Sequence, residues 1–104
     1  MAAFTEGQEE RIQQAVRTRV EDYVSQGRDV EFSLVASTHD NSDNIVRIGT
    51  SILCTRWGVG YPGGSFAQAI VDNNLSEAFG RADSINVNAI RFYVTLLYNQ
   101  SYVG

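Results

Sequence analysis

The chain has 104 residues, a length that fits one domain spanning residues 1–104. Apolar residues make up 43% of the chain and charged residues 19%, which are ordinary globular values and exclude global disorder. The net charge is −4 and no cluster of basic residues occurs. This charge balance excludes sequence-independent binding to nucleic acid, which needs clustered positive charge against the phosphates.

Nothing in the sequence predicts contact with a membrane or secretion. No apolar run reaches the roughly 18 residues of a membrane-spanning helix, and residues 1–14 lack the basic and apolar regions of a signal peptide. Cys54 is the only cysteine, so an intramolecular disulfide cannot form, and its apolar surroundings predict a small buried side chain. These features predict a cytoplasmic protein.

The N-terminal segment is predicted to be a helix. Thr5 and Gln8 have the spacing of a capping box, apolar residues recur every three or four positions from Ile12 to Val24, and Gly27 is suited to end the helix.

The next two segments are predicted to form a β-hairpin. Apolar and polar side chains alternate over residues 30–37, which places Phe32 and Leu34 on the same face of a strand. Residues 39–44 are polar and are predicted to form the turn. Residues 45–57 are rich in β-branched side chains and are predicted to be the second strand.

Both faces of this predicted hairpin carry apolar residues. Val35, Leu53 and Trp57 lie on the face that should be polar, and Gly49 marks a bulge or a close approach of another segment. Because a two-stranded hairpin is marginal alone, the strands are expected to pack on the helices. The second apolar face predicts a homo-oligomer.

The last forty residues are predicted to be helical, after a glycine-rich turn. Ser65 is expected to cap a short helix over residues 66–72, and Asn74 to cap another over residues 75–82. Residues 85–99 follow, with Asp83 or Ser84 as the cap.

Residues 85–99 are predicted to form the central core helix. Strict alternation fails there, whereas Asn88, Arg91, Thr95 and Asn99 recur at helical spacing in an otherwise apolar segment. The predicted fold is therefore α+β: an N-terminal helix, a β-hairpin, and two or three C-terminal helices packed on the hairpin.

A sequence pattern runs through the C-terminal half. It comprises Pro62-Gly63-Gly64-Ser65-Phe66, Ala69-Ile70-Val71, Asn73-Asn74-Leu75, Glu77-Ala78, Arg81-Ala82-Asp83, Asn86 and Tyr98-Asn99. In order and spacing this pattern resembles a group of small uncharacterised tailed-phage proteins, which often have Asp where Asn74 stands. The match covers a little over a third of the chain. The resemblance implies a phage or prophage origin, and hence the cytoplasm of a host cell, but no activity.

A ligand-binding site is predicted around the glycine-rich turn. The backbone amides of Gly63, Gly64 and Ser65 open a helix, where such amides attract anions. Trp57 and Phe66 flank the turn and offer rings for stacking. A tight turn with ordinary core packing is the competing interpretation of the same residues, and the sequence favours it over a ligand site.

Arg91 is the other candidate for anion binding. Its guanidinium suits a phosphate or carboxylate of a ligand. The alternative is a structural ion pair with Asp72 or Asp83, which a buried arginine would need.

Catalytic and metal sites are not predicted. His39 is the only histidine, and with Asp40 and Asp43 it fits an exposed turn better than a metal site. No serine, histidine and carboxylate are placed to act together. The sequence therefore predicts no cofactor, no metal and no enzyme.

Two functions remain open. The first is a phage-type accessory protein that binds a host protein. The alternative is an oligomeric sponge that sequesters a small anionic ligand, a nucleotide-type defence signal, through the glycine-rich turn and Arg91.

Overall fold

The computed structural model describes residues 3–103, and these form helices joined by short loops. The α-helices are α1 (Gln8–Ser25), α2 (Val30–Val35), α3 (His39–Trp57), α4 (Ser65–Val71), α5 (Leu75–Arg81) and α6 (Ile90–Asn99), and a 3₁₀ turn (Asn86–Ala89) leads into α6. Apart from an isolated bridge position at Val59, no strand occurs among these residues. The fold is all-helical rather than α+β. None of the helices in this part of the chain is long and apolar enough to cross a membrane.

The predicted β-hairpin is wrong. Its first strand is the short helix α2, and its turn and second strand together form α3. Each of these helices begins with a side-chain cap. The Asp29 carboxylate accepts a hydrogen bond from the Phe32 N–H (3.1 Å), and the Thr38 hydroxyl accepts one from the Asn41 N–H (3.2 Å). Such caps satisfy backbone donors that a helix start leaves unpaired.

The burial pattern explains why α3 is a helix. Its buried residues recur at helical spacing: Ile45, Val46, Gly49, Thr50, Ile52, Leu53 and Cys54. This wide stripe packs against α1, α4 and α6, and its burial outweighs the β propensity of isoleucine and valine, which amounts to about 1 kcal/mol or less per residue. The apolar residues that motivated an oligomer also pack inside the chain, since Leu53 is buried and Val35 and Trp57 are half-buried against the core.

The N-terminal helix is present, but it begins at Gln8. Half of the predicted capping box forms, because Gln8 Oε1 accepts a hydrogen bond from the Thr5 N–H (3.0 Å), while the Thr5 hydroxyl accepts one from Arg11 (3.4 Å) instead of capping the helix. Gln8 is buried, and its Nε2 donates to the Tyr102 hydroxyl (2.9 Å) and the Val103 carbonyl (3.2 Å). One buried amide thus joins two segments at opposite ends of the described chain.

The C-terminal segments are helical, with bounds close to those predicted. Ser65 is the first residue of α4 rather than its cap. The cap position is occupied by Gly64, which has no side chain to accept a hydrogen bond. Asn73 ends α4 in the left-handed region (φ 59°), which asparagine tolerates better than most residues. Asn74 then caps α5 by accepting from the Glu77 N–H (3.2 Å).

Helix α6 is central, as the sequence predicts for residues 85–99, although its first turn is 3₁₀. It packs against α1, α3 and α4. Phe92 stacks on Phe32 with 5.0 Å between ring centroids, and Tyr23 meets both rings edge-on at 5.4 and 5.0 Å. These three rings attach α2 to α1 and α6.

A buried polar contact fixes the start of α6. The Tyr93 side chain is fully buried, and its hydroxyl donates a hydrogen bond to Oδ1 of Asn86, which is also buried. We expect Tyr93→Phe to lower the free energy of unfolding by about 1–3 kcal/mol, because the Asn86 oxygen loses its donor in a place that water does not reach. Urea unfolding measures this effect, with Tyr61→Phe as the control, since Tyr61 is 91% exposed. If both substitutions have an equal, small effect on the free energy of unfolding, the buried hydrogen bond between Tyr93 and Asn86 is not formed.

The same contact predicts how stability depends on alkaline pH. Burial, and to a smaller extent the charge of Asp83, raises the pKa of Tyr93. In the unfolded chain the Tyr93 hydroxyl ionises near pH 10, whereas in the folded protein it keeps its proton to higher pH. Its contribution to stability is therefore complete below pH 10 and is lost as the pH rises towards the folded-state pKa. Above about pH 10 the wild type should therefore lose up to about 1.4 kcal/mol per pH unit more than Tyr93→Phe.

Candidate functional site

The glycine-rich turn is occupied by contacts within the chain. The Gly63 N–H donates a hydrogen bond to Oγ1 of Thr55 on α3 (2.8 Å), and the Gly63 carbonyl accepts one from Gln68 (3.1 Å). A Cβ atom at Gly63 would lie 2.5 Å from Oγ of Ser51 and 2.6 Å from Cβ of Ala67. Gly63 is therefore the point where the loop packs closely between α3 and α4.

The predicted aromatic residues contact other rings. Trp57 meets Tyr102 edge-on with 5.1 Å between centroids, and Phe66 meets Tyr93 in the same way at 5.7 Å. Arg91 precedes Tyr93 by two positions, which is about 200° around a helix. The face of α6 that packs on Phe66 is therefore opposite the face that carries Arg91.

Arg91 is therefore separated from Phe66, although both were predicted to bind the same ligand. The five best-defined grooves among residues 3–103 have none of Trp57, Gly63, Gly64, Ser65 and Phe66 in their linings, whereas Arg91 lines two of them. Arg91 is exposed, and it forms no ion pair with Asp72 or Asp83.

A groove lies instead where α3, α4 and α6 end side by side. We call it the Tyr98 groove, and it has a volume of about 140 Å³. Its lining residues are Arg56, Ile70, Val71, Asn73, Val94, Leu97 and Tyr98. Asn73, in the left-handed region after α4, forms one end of the groove lining.

The Tyr98 groove combines apolar walls with an exposed tyrosine and an exposed arginine. Val71, Val94 and Leu97 are half-buried, whereas Tyr98 is 82% exposed. The guanidinium of Arg56 makes no hydrogen bond or ion pair with the described part of the chain. Tyrosine and arginine over an apolar concave surface are typical of the residues that dominate binding at protein interfaces.

The groove lining contains no histidine, cysteine, serine or carboxylate, and the Tyr98 hydroxyl is its one group of a type used in acid–base or nucleophilic chemistry. The only histidine lies elsewhere: His39 Nδ1 is 3.3 Å from Asp43, whose carboxylate also accepts from Arg17 of α1 (3.1 Å). Cys54 is buried, and burial raises the pKa of its thiol, which lowers its reactivity. Across residues 3–103, no three potential metal ligands of the types His, Cys, Asp and Glu cluster together.

Comparisons of this chain with protein-family models, with curated proteins and with solved structures give no match. Sequence reasoning missed Arg56 and Tyr98 as site residues. The available signal for Tyr98 was the wide apolar surface of α6, which the neighbouring helices α1, α3 and α4 leave partly exposed.

Proposed function

We propose that this chain is a non-enzymatic binding protein that holds a protein partner in the Tyr98 groove. The main observation behind the proposal is that two exposed side chains line the same groove. Tyr98 is 82% exposed, and the Arg56 guanidinium has no partner among residues 3–103. Such residues gain most when a partner covers them, because the tyrosine ring buries a large area and the guanidinium finds an acceptor.

The size of the groove supports a protein partner over a nucleotide. Sites for small molecules and cofactors usually enclose about 300–1,000 Å³, whereas the Tyr98 groove has about 140 Å³. A space of this size suits one anchoring side chain of a partner protein. The alternative of a nucleotide sponge has less support, since the residues expected to form its site do not share a groove.

The resemblance to tailed-phage proteins suggests which protein would bind. We propose that the partner is a host protein in the cytoplasm of an infected bacterium. Tyr98 belongs to the pattern on which the resemblance rests and is 82% exposed, so core packing does not account for it.

Site-specific photo-cross-linking tests the proposal. A benzoylphenylalanine at Tyr98 is expected to form an adduct with one protein of a bacterial lysate, whereas the same group at Tyr61, which is 91% exposed but outside the groove, is expected to form none. Excess unlabelled wild type should compete away the adduct, and an excess of the Arg56→Gln variant should compete less well.

Adducts of equal yield from positions 98 and 61, or no adduct from either, would overturn the proposal. A nucleotide panel provides the alternative outcome. A ligand present at a hundred times its Kd adds about 2.7 kcal/mol to stability, so a melting shift that disappears in Arg91→Ala would favour the sponge.

A further inference from the structure

A second exposed apolar surface lies beside the Tyr98 groove, on the far side of Val94. We call it the Phe79 face. It consists of Leu75 and Phe79 on α5, Val87 in the 3₁₀ turn, Ile90 and Arg91 on α6, and Glu31 on α2. Leu75, Phe79 and Val87 are 41%, 52% and 38% exposed, and two adjoining shallow depressions run across them.

Two charged side chains of opposite sign line this face. The Glu31 carboxylate and the Arg91 guanidinium line the same depression, yet neither of these two groups forms a hydrogen bond or ion pair with a residue in the range 3–103. The neighbouring carboxylate of Asp29 is different, because it accepts hydrogen bonds from the Phe32 N–H and the Tyr23 hydroxyl. Glu31 is thus the acidic group of this face that remains available.

We infer that the Phe79 face binds a second copy of this chain about a two-fold axis. In a two-fold interface each surface meets itself, so a group on one side of the axis lies opposite the copy of the group on the other side. An axis through the depression that Glu31 and Arg91 both line would place Arg91 against the partner's Glu31, and Glu31 against the partner's Arg91. Every ion pair then occurs twice, and Phe79 lies near the centre, where aromatic residues contribute most.

The charge pattern favours a second copy over an unrelated partner. An acidic partner would be repelled by Glu31, and a basic partner by Arg91, whereas a copy of the same face satisfies both groups. The inference is independent of the proposed function, because the two surfaces differ and the tests measure different quantities.

Light scattering with a charge-swap series tests the inference. At a concentration of roughly 100 μM the wild type is expected to have about twice the chain mass of 11.5 kDa. Arg91→Glu, which sets like charges against each other at two places, should raise the dimer dissociation constant by about tenfold or more, as should Glu31→Arg. The double variant Glu31→Arg/Arg91→Glu should restore a dissociation constant close to that of the wild type.

Two further variants keep the result interpretable. Arg28→Glu changes the net charge as Arg91→Glu does, but Arg28 lines neither of the two depressions that form the Phe79 face, so its dimer should persist. Phe79→Ser should weaken the dimer and leave the circular dichroism spectrum unchanged. A monomeric wild type, a dimer insensitive to Arg91→Glu, or a charge swap that fails to restore association would each overturn the inference. A monomer that cross-links to a bacterial protein from position 79 would also overturn it.

Discussion

Replacing Phe32 with alanine is expected to lower the free energy of unfolding by about 3–5 kcal/mol. Phe32 is fully buried, stacks on Phe92 and is met edge-on by Tyr23. Its removal leaves a cavity between α1, α2 and α6, and α2 has only six residues with which to compensate. Urea unfolding followed by circular dichroism measures the loss.

Leu34 provides the matched control in the same helix. A strand would place Leu34 on the same face as Phe32, whereas α2 leaves Leu34 68% exposed. We therefore expect Leu34→Ala to change stability by no more than about 0.5 kcal/mol. Losses of similar size for both substitutions would argue for the strand and against α2.

The second large effect concerns two helical glycines that should respond in opposite directions to alanine. A Cβ at Gly49 would lie 2.8 Å from Cγ1 of Val16 on α1 and 3.2 Å from Cδ2 of Leu96 on α6. Overpacking of this kind costs about 1–3 kcal/mol, which exceeds the gain in helix propensity. Gly80 in α5 has no atom within 4 Å of the same position, so Gly80→Ala should stabilise the protein by about 0.5–1 kcal/mol.

A double variant identifies the cause of the Gly49 effect. Val16→Ala removes the atom that an alanine at position 49 would strike. Val16→Ala/Gly49→Ala should therefore be more stable than the sum of the single effects predicts, by about 0.5 kcal/mol or more. Strict additivity would show that the helices do not meet at these residues. Thermal or urea unfolding of the four proteins gives the coupling.

Local sequence signals predicted the correct elements in the N-terminal segment and the C-terminal half. The stripe from Ile12 to Val24 identified α1, and the preference of asparagine for caps and left-handed backbone located the junction of α4 and α5 at Asn73 and Asn74. These features depend on neighbouring residues alone, so a sequence pattern can predict them.

The prediction for residues 30–57 was wrong because short apolar runs fit both the strand period and the helix period. Residues 30–37 alternate as a strand would. The six-residue helix α2 has one buried side chain, Phe32, so no helical period is visible in its sequence. Asp29 and Thr38 are residue types that commonly cap helices, but the prediction followed the β-branched composition of the segments after them. In α3 the decisive factor is burial against α1, α4 and α6, a tertiary effect that overrides propensity.

The candidate site was out of reach of local reasoning for a related reason. Gly63 looked available because nothing nearby in sequence accepts from its N–H, yet Thr55 of the preceding helix does. Arg56 and Tyr98 are 42 positions apart in the numbering and come together only because α3 and α6 pack with their ends at the same side of α4.

The hydrogen bonds of the Gln8 amide make this chain suitable for circular permutation. Because Gln8 binds Tyr102 and Val103, the first and last segments of the range 3–103 lie side by side, and we expect that a glycine-rich peptide between Ala3 and Val103 can join them covalently. The backbone can then be cut at the exposed Tyr61–Pro62 bond, since exposed loop tips tolerate new termini. Such a circular permutant keeps every helix intact while α4, α5 and α6 precede α1, α2 and α3 in chain order.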